Sequence, residues 1–141
     1  VTATDQSDEA ITLAKENALA LNLSSRVTFI KGNWFEPLDE GARFDLIVSN
    51  PPYLTEAEMQ TAEPEVIDHE PHGALASGQE GLDDLSLLLK SVPKHLAEGG
   101  LLALETGIGQ AEVIKEMALE VSLYGQSVED LSERPRFFFA S

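Results

Sequence analysis

Phe44-Asp45-Leu46-Ile47-Val48-Ser49-Asn50-Pro51-Pro52-Tyr53 decides how this chain reads. Its first six residues form an apolar run too continuous for a strand exposed on one face. They fit a short strand of a parallel sheet covered on both sides. Proline has no amide hydrogen and is poorly tolerated inside a sheet, so the strand must stop at Pro51. An amide, two rigid prolines and an aromatic ring then stand where open α/β sheets place their ligands. Taken alone, Asn-Pro-Pro reads more simply as a strand terminator.

Outward from this stretch the elements alternate. Val1-Thr2-Ala3-Thr4-Asp5 reads as a short strand ending in a carboxylate. Ser7 can cap the helix that follows, and Asp8 and Glu9 suit its first turn. Ile11, Ala14, Ala18 and Leu21 recur at helical spacing, and Leu23-Ser24-Ser25 closes the helix. Arg26 to Lys31 is the next strand, left by Gly32-Asn33-Trp34-Phe35. Strand, carboxylate and helix make half of a nucleotide-binding unit, in which such an acid accepts hydrogen bonds from ribose hydroxyls. Asp5 is otherwise a turn acid. Asn33 could read a polar ring edge, and Trp34 could cover a flat ligand or simply pack.

Beyond Tyr53 the stretch from Leu54 to Ser77 is acidic, weakly periodic and punctuated by Pro64 and Pro71. It reads as a long loop with a helical turn near Glu56 to Ala62, suited to be a lid or wall on the substrate side. Leu85, Leu88, Leu89, Val92 and Leu96 form a helical stripe, with Pro93 inside it and Gly99-Gly100 as its stop. Leu101 to Glu105 is a buried strand with Glu105 at its ligand-side end. Gln110 to Val121 is a helix, Ser122 to Asp130 holds an edge strand, and Arg136 to Ala140 is the last strand. Six strands and three covering helices in this order predict an α/β, Rossmann-like fold. Its sheet is mostly parallel with an antiparallel edge pair.

Composition bounds the chemistry. The 141 residues suffice for one domain of ordinary size. Without cysteine, disulfides and thiolate metal sites are excluded, and His69, His72 and His95 lack metal-ligand spacing, so no metal is expected. Nine basic residues face twenty-five acidic ones, for a net charge of -16. From Phe44 to Leu89 there are ten acids and no base. Such a surface repels a phosphate backbone and suits a protein partner or a small cationic ligand. No apolar run is long enough to cross a membrane, and no membrane partner is expected.

A planar nitrogen is a poor nucleophile because its lone pair is delocalised. The Asn50 side-chain oxygen and the Pro51 carbonyl could accept its two hydrogens, and Tyr53 could stack on the planar group. Charge developing on that nitrogen would then be favoured, with no strong base required.

Together with Asp5 and Gly32-Asn33-Trp34-Phe35, the Phe44 to Tyr53 stretch resembles the class I S-adenosylmethionine-dependent methyltransferases that act on planar amino groups. Glu70-Pro71, Ala74-Leu75, Gly81-Leu82, Gly99-Gly100 and Arg134-Pro135-Arg136 are most similar to the release factor glutamine methyltransferase family. The resemblance implies S-adenosylmethionine as cofactor, with Asp5 on its ribose and Asn33 and Trp34 bordering its adenine. It also implies that Asn50, Pro51, Pro52 and Tyr53 hold a substrate glutamine amide beside the methyl group. The implied partner is a peptide chain release factor, met by a monomer in the cytoplasm. Two departures stand out. The family usually carries an acid where Asn33 stands. Its first strand, with the Asp-x-Gly-x-Gly-x-Gly loop, and its amino-terminal helical domain have no counterpart here. Residues 1–141 are therefore expected to be a partial catalytic domain starting at the family's second strand, with the Val1 and Phe44 strands lacking a shared partner. An adenine or guanine amino methyltransferase of DNA or RNA, and a non-catalytic fragment, are the alternatives.

Overall fold

The computed structural model describes residues 1–61 and 71–141. These fall into two compact units, 1–42 and 43–141.

The first unit is a strand, a helix and a strand. β1 (Thr2–Asp5) pairs in parallel with β2 (Thr28–Lys31), Thr2 opposite Thr28 and Asp5 opposite Lys31. Between them runs α1 (Asp8–Ala20). The Ser7 hydroxyl accepts the Ala10 amide hydrogen at 3.1 Å, which satisfies one otherwise open donor of the first turn. Asp8 and Glu9 lie where the helix dipole favours negative charge. Ile11 and Ala18 are buried. The helix does not run on to Leu23-Ser24-Ser25. Asn22 takes a left-handed φ of 58°, and the Asn22 and Leu23 amides donate back to Leu19 and Ala18. This is a Schellman termination, with asparagine in place of the usual glycine.

The second unit carries β3 (Phe44–Ser49), α2 (Glu56–Thr61), a 3-10 turn (His72–Ala74), α3 (Asp83–His95), β4 (Leu96–Glu105), α4 (Ala111–Glu120), β5 (Gly125–Glu129) and β6 (Pro135–Ala140). The sheet order is β3-β4-β6-β5. β3 and β4 are parallel, while β6 runs antiparallel to both β4 and β5. The α/β class and the antiparallel edge pair are as expected. The two-stranded sheet of the first unit is parallel, and the four-stranded sheet of the second is mixed, with β3–β4 its parallel pair.

The core of this unit lies between one sheet face and two helices. Leu85, Leu88, Leu89 and Val92 of α3 meet Leu102 and Leu104 of β4, Ile114 and Ala118 of α4, and Phe138 and Ala140 of β6, all almost wholly buried. Within the second unit the helices cover one face of the sheet. Ile47 is buried, yet Leu46 is 56% and Val48 70% exposed, because α3 and α4 pack on the same side. β3 is also an edge strand. Gly99-Gly100 does not stop α3 either. That helix ends at His95, just after Pro93, and the glycines lie in an irregularity of β4. There the partner of β3 jumps from Leu96 to Leu101, and Gly99 takes a φ of 71°. The 54–77 loop is partly structured. Besides α2 and the 3-10 turn, Leu54 bridges to Ala76. Pro64, His69 and Glu70 lie outside the described residues, as does the rest of 62–70.

Phe138 is 1% exposed. Replacing it with alanine should cost about 3–5 kcal/mol, read as a lower urea midpoint at unchanged slope.

Candidate functional site

Two clusters form at strand ends, one in each unit. In the first unit, parallel pairing brings the carboxyl ends of β1 and β2 together. Asp5 and the turn after Lys31 are neighbours, and the Gly32 amide donates to the Asp5 carbonyl at 3.0 Å. The exposed Asp5 side chain turns back to the helix entry, its Oδ1 accepting from the Ser7 amide at 2.8 Å. A β-carbon on Gly32 would come within 2.6 Å of the Pro37 ring, so only glycine allows this tight exit from the strand. Asn33 and Trp34 follow, both partly buried. Trp34 holds a left-handed φ of 48°, an outlier for a bulky residue. Such conformations persist where the surroundings over-determine them, and they cluster at binding sites. Sequence alone marked Trp34 but not its backbone.

In the second unit, β3 ends at Ser49 and the motif turns out of the sheet. Asn50 is exposed, and no partner among the described residues holds its side-chain amide. Pro51 and Pro52 are buried beneath it. Asn50 is thus a free donor and acceptor on a stiff, anchored base.

Tyr53 is fixed at both ends. Its hydroxyl donates to Glu105 Oε1 at 3.0 Å and accepts from Arg136 Nη2 at 3.0 Å. Arg136 Nη2 also donates to Glu105 Oε1 at 2.7 Å. The guanidinium lies over the Tyr53 ring, its carbon 5.3 Å from the centroid. At the backbone end, Gln110 Nε2 donates to the Tyr53 carbonyl at 3.1 Å and to the Gly81 carbonyl at 3.2 Å, while Gln110 Oε1 accepts from the Gly107 amide at 2.8 Å. Gly81 has a φ of 68°, and a β-carbon there would sit 2.2 Å from the Tyr53 carbonyl oxygen. The next residue is stitched as well. The Leu54 amide donates to Leu75 at 2.9 Å, and its carbonyl accepts from Ser77 at 3.0 Å.

The strand-end position of Glu105 was legible in the sequence. The Gln110 and Arg136 contacts to Tyr53 were not. Gln110 reads as an ordinary helix start, and Arg136 as the opening of the last strand. The place of Gln110 after Gly107 and Gly109 at a helix entry was the signal available; in the structure its side chain gives α4 no cap and turns to the Tyr53 carbonyl instead. Burial, and next the hydrogen bond to Glu105, raise the Tyr53 phenol above its ordinary value.

The methyltransferase domain family matches residues 1–135. This chain belongs to that family. A release factor glutamine methyltransferase of Geobacter sulfurreducens is 46% identical over 117 residues, covering 83% of this chain and 40% of the relative. The enzyme of the same name from Moorella thermoacetica is 41% identical over 142 residues, covering 99% of this chain and 50% of the relative. The chain thus spans about half, or less, of the length of these curated relatives. Among solved structures, the ribosomal protein L11 methylase of Lactobacillus delbrueckii subsp. bulgaricus superposes with a TM-score of 0.68 at 24% identity, covering 100% of this chain and 56% of that one. This likeness supports the Rossmann-like fold of this methyltransferase domain. No helix among the described residues is long and apolar enough to cross a membrane.

Glycine tolerates a left-handed φ that costs alanine about 1–2 kcal/mol. Trp34→Gly should therefore be more stable than Trp34→Ala by roughly 1 kcal/mol, as measured by chemical unfolding. A 295 nm titration should also show one tyrosine, missing in Tyr53→Phe, ionising above 10.0. Its folded pKa is raised, so its contribution to stability is complete below the unfolded value. That contribution is lost as pH rises through the folded value.

Proposed function

We propose that this chain supplies part of the catalytic domain of an S-adenosylmethionine-dependent methyltransferase. Its acceptor would be the side-chain amide nitrogen of a glutamine in a peptide chain release factor. The observation that carries this reading is Asn50: an exposed amide at a strand end, without a side-chain partner among the described residues, followed by buried Pro51-Pro52 and a pinned aromatic ring. The names of the similar curated proteins support the same acceptor.

In this reading the Asn50 side-chain oxygen and the Pro51 carbonyl accept the two hydrogens of the substrate amide. Hydrogen bonds to the amide hydrogens favour positive charge building on nitrogen, because acceptors preset at that point need not reorganise. Tyr53 packs against the amide plane and fixes which face is presented. Pro51 and Pro52 hold the turn rigid.

The first-unit residues suit the cofactor. Asp5 is an exposed carboxylate at a strand end, fit to accept from ribose hydroxyls, and Asn33 and Trp34 offer a polar edge and a flat surface for an adenine. Asn33 both donates and accepts, unlike the usual acid. Asn50 would also border the methionine end of the cofactor. When bound, the cofactor supplies an electrophilic methyl group. We read residues 1–141 as a partial catalytic domain that begins at the family's second strand, in keeping with their share of the relatives' length. The expected setting is a cytoplasmic monomer with a protein substrate.

The test is methyl transfer from labelled S-adenosylmethionine by the intact protein, offered release factor, ribosomal RNA and DNA in parallel. Label should appear on a release-factor glutamine, and Asn50→Ala should lower kcat by about 10²–10³-fold. Label on nucleic acid with none on release factor would overturn the assignment.

A further inference from the structure

Tyr53 is held by three side chains, two from separate strands and one from the entry to α4. Glu105 is the last residue of β4, and Arg136 is the second residue of β6. The antiparallel ladder sets Glu105 opposite Phe137, and the Thr106 amide donates to the Arg136 carbonyl at 2.9 Å. The carboxylate and guanidinium are therefore placed by backbone pairing before their side chains meet. Both are about three-quarters buried, with 26% and 25% exposure, so the pair is shielded from solvent more than a surface salt bridge is. Its two members together occupy the donor and acceptor capacity of the Tyr53 hydroxyl. Gln110 independently holds the other end of the residue, at its carbonyl.

An aromatic ring packed only by dispersion can tilt at little cost. A ring held at its hydroxyl by an ion pair and at its backbone by an amide cannot tilt without breaking charge-assisted hydrogen bonds. Arg136 lies over one face of the ring, and the residue as a whole is only partly buried.

We propose that Glu105, Arg136 and Gln110 are positioning residues: they act through Tyr53 to fix the ring plane against which the acceptor amide is aligned. The proposal rests on the reading of Tyr53 as the face that packs the acceptor. The three residues touch neither acceptor nor cofactor in this scheme. Their loss should therefore misplace the acceptor without weakening cofactor binding.

A double-mutant cycle in the intact protein tests this. Tyr53→Phe, which keeps the ring and loses the hydroxyl, and Glu105→Gln, which keeps the shape and loses the charge, should each lower kcat by about 10–100-fold. KM for the acceptor and the dissociation constant for S-adenosylmethionine should each stay within about twofold of wild type, since misorientation rather than lost binding is the defect. The double variant should be no slower than the slower single variant, because both break one network. Multiplying effects, or a wild-type kcat in Glu105→Gln, would overturn the proposal. Should Glu105→Gln fail to fold, the cycle of Tyr53→Phe with Arg136→Gln carries the same expectations. If label goes to nucleic acid instead, the acceptor assignment fails while the cycle, run on that acceptor, still decides the positioning role. A readout free of turnover is the ring resonance of ¹³C-labelled tyrosine that is missing from Tyr53→Phe. It should shift in Glu105→Gln and in Gln110→Ala, and an unmoved resonance in both would overturn the proposal.

Discussion

Parallel pairing of β3 with β4 is the constraint from which the second unit's site follows. Parallel strands deliver their carboxyl ends to the same sheet edge. The register sets Ser49 opposite Leu104, so Asn50 and Glu105 leave the sheet side by side. β6 then runs back along β4 and enters at that same edge, bringing Arg136. Tyr53, three residues beyond Asn50, meets Glu105 and Arg136 there because strand direction brings all three to one edge. Helices α3 and α4 stiffen the platform from one side through a leucine-rich layer capped by Phe138.

Much of this architecture was legible because it rests on local chemistry. A serine hydroxyl ahead of two acids caps a helix wherever it occurs, and Ser7 does so here. The leucine stripe of α3 buries four residues at the expected spacing. Asn50-Pro51-Pro52-Tyr53 was readable as a strand end with an amide and a ring, since proline ends pairing in any context. What escaped was set by tertiary context. Left-handed turns at Asn22 and Ser122 close α1 and α4, though neither is glycine, because backbone bonds to the preceding turn outweigh the modest cost. The glycines at 99 and 100 read as a helix stop but serve as a strand irregularity, since Pro93 and the pairing of Leu96 with Phe44 end the helix first. The roles of Gln110 and Arg136 depend on which strands become neighbours, and no spacing in the chain encodes that.

The two units also differ in how they hold their strand-end residues. Asp5 and Asn33 lean on backbone geometry, with a glycine pressed against Pro37 and a tryptophan in a left-handed turn. Tyr53 is held by side-chain hydrogen bonds instead.

The apolar strip on β3 has a colloidal consequence for residues 1–141 taken by themselves. Leu46 and Val48 on an edge strand, with Leu101 beside Leu46 in the ladder, make a sticky strip of the kind that recruits further strands. The net charge of -16 works against that by mutual repulsion. Repulsion between such surfaces fades over a Debye length, about 8 Å at physiological ionic strength and shorter in concentrated salt. For these residues alone, dissolved ions and pH set the reach of that repulsion. Salt, or acid enough to protonate the carboxylates, removes the barrier that keeps the strips apart.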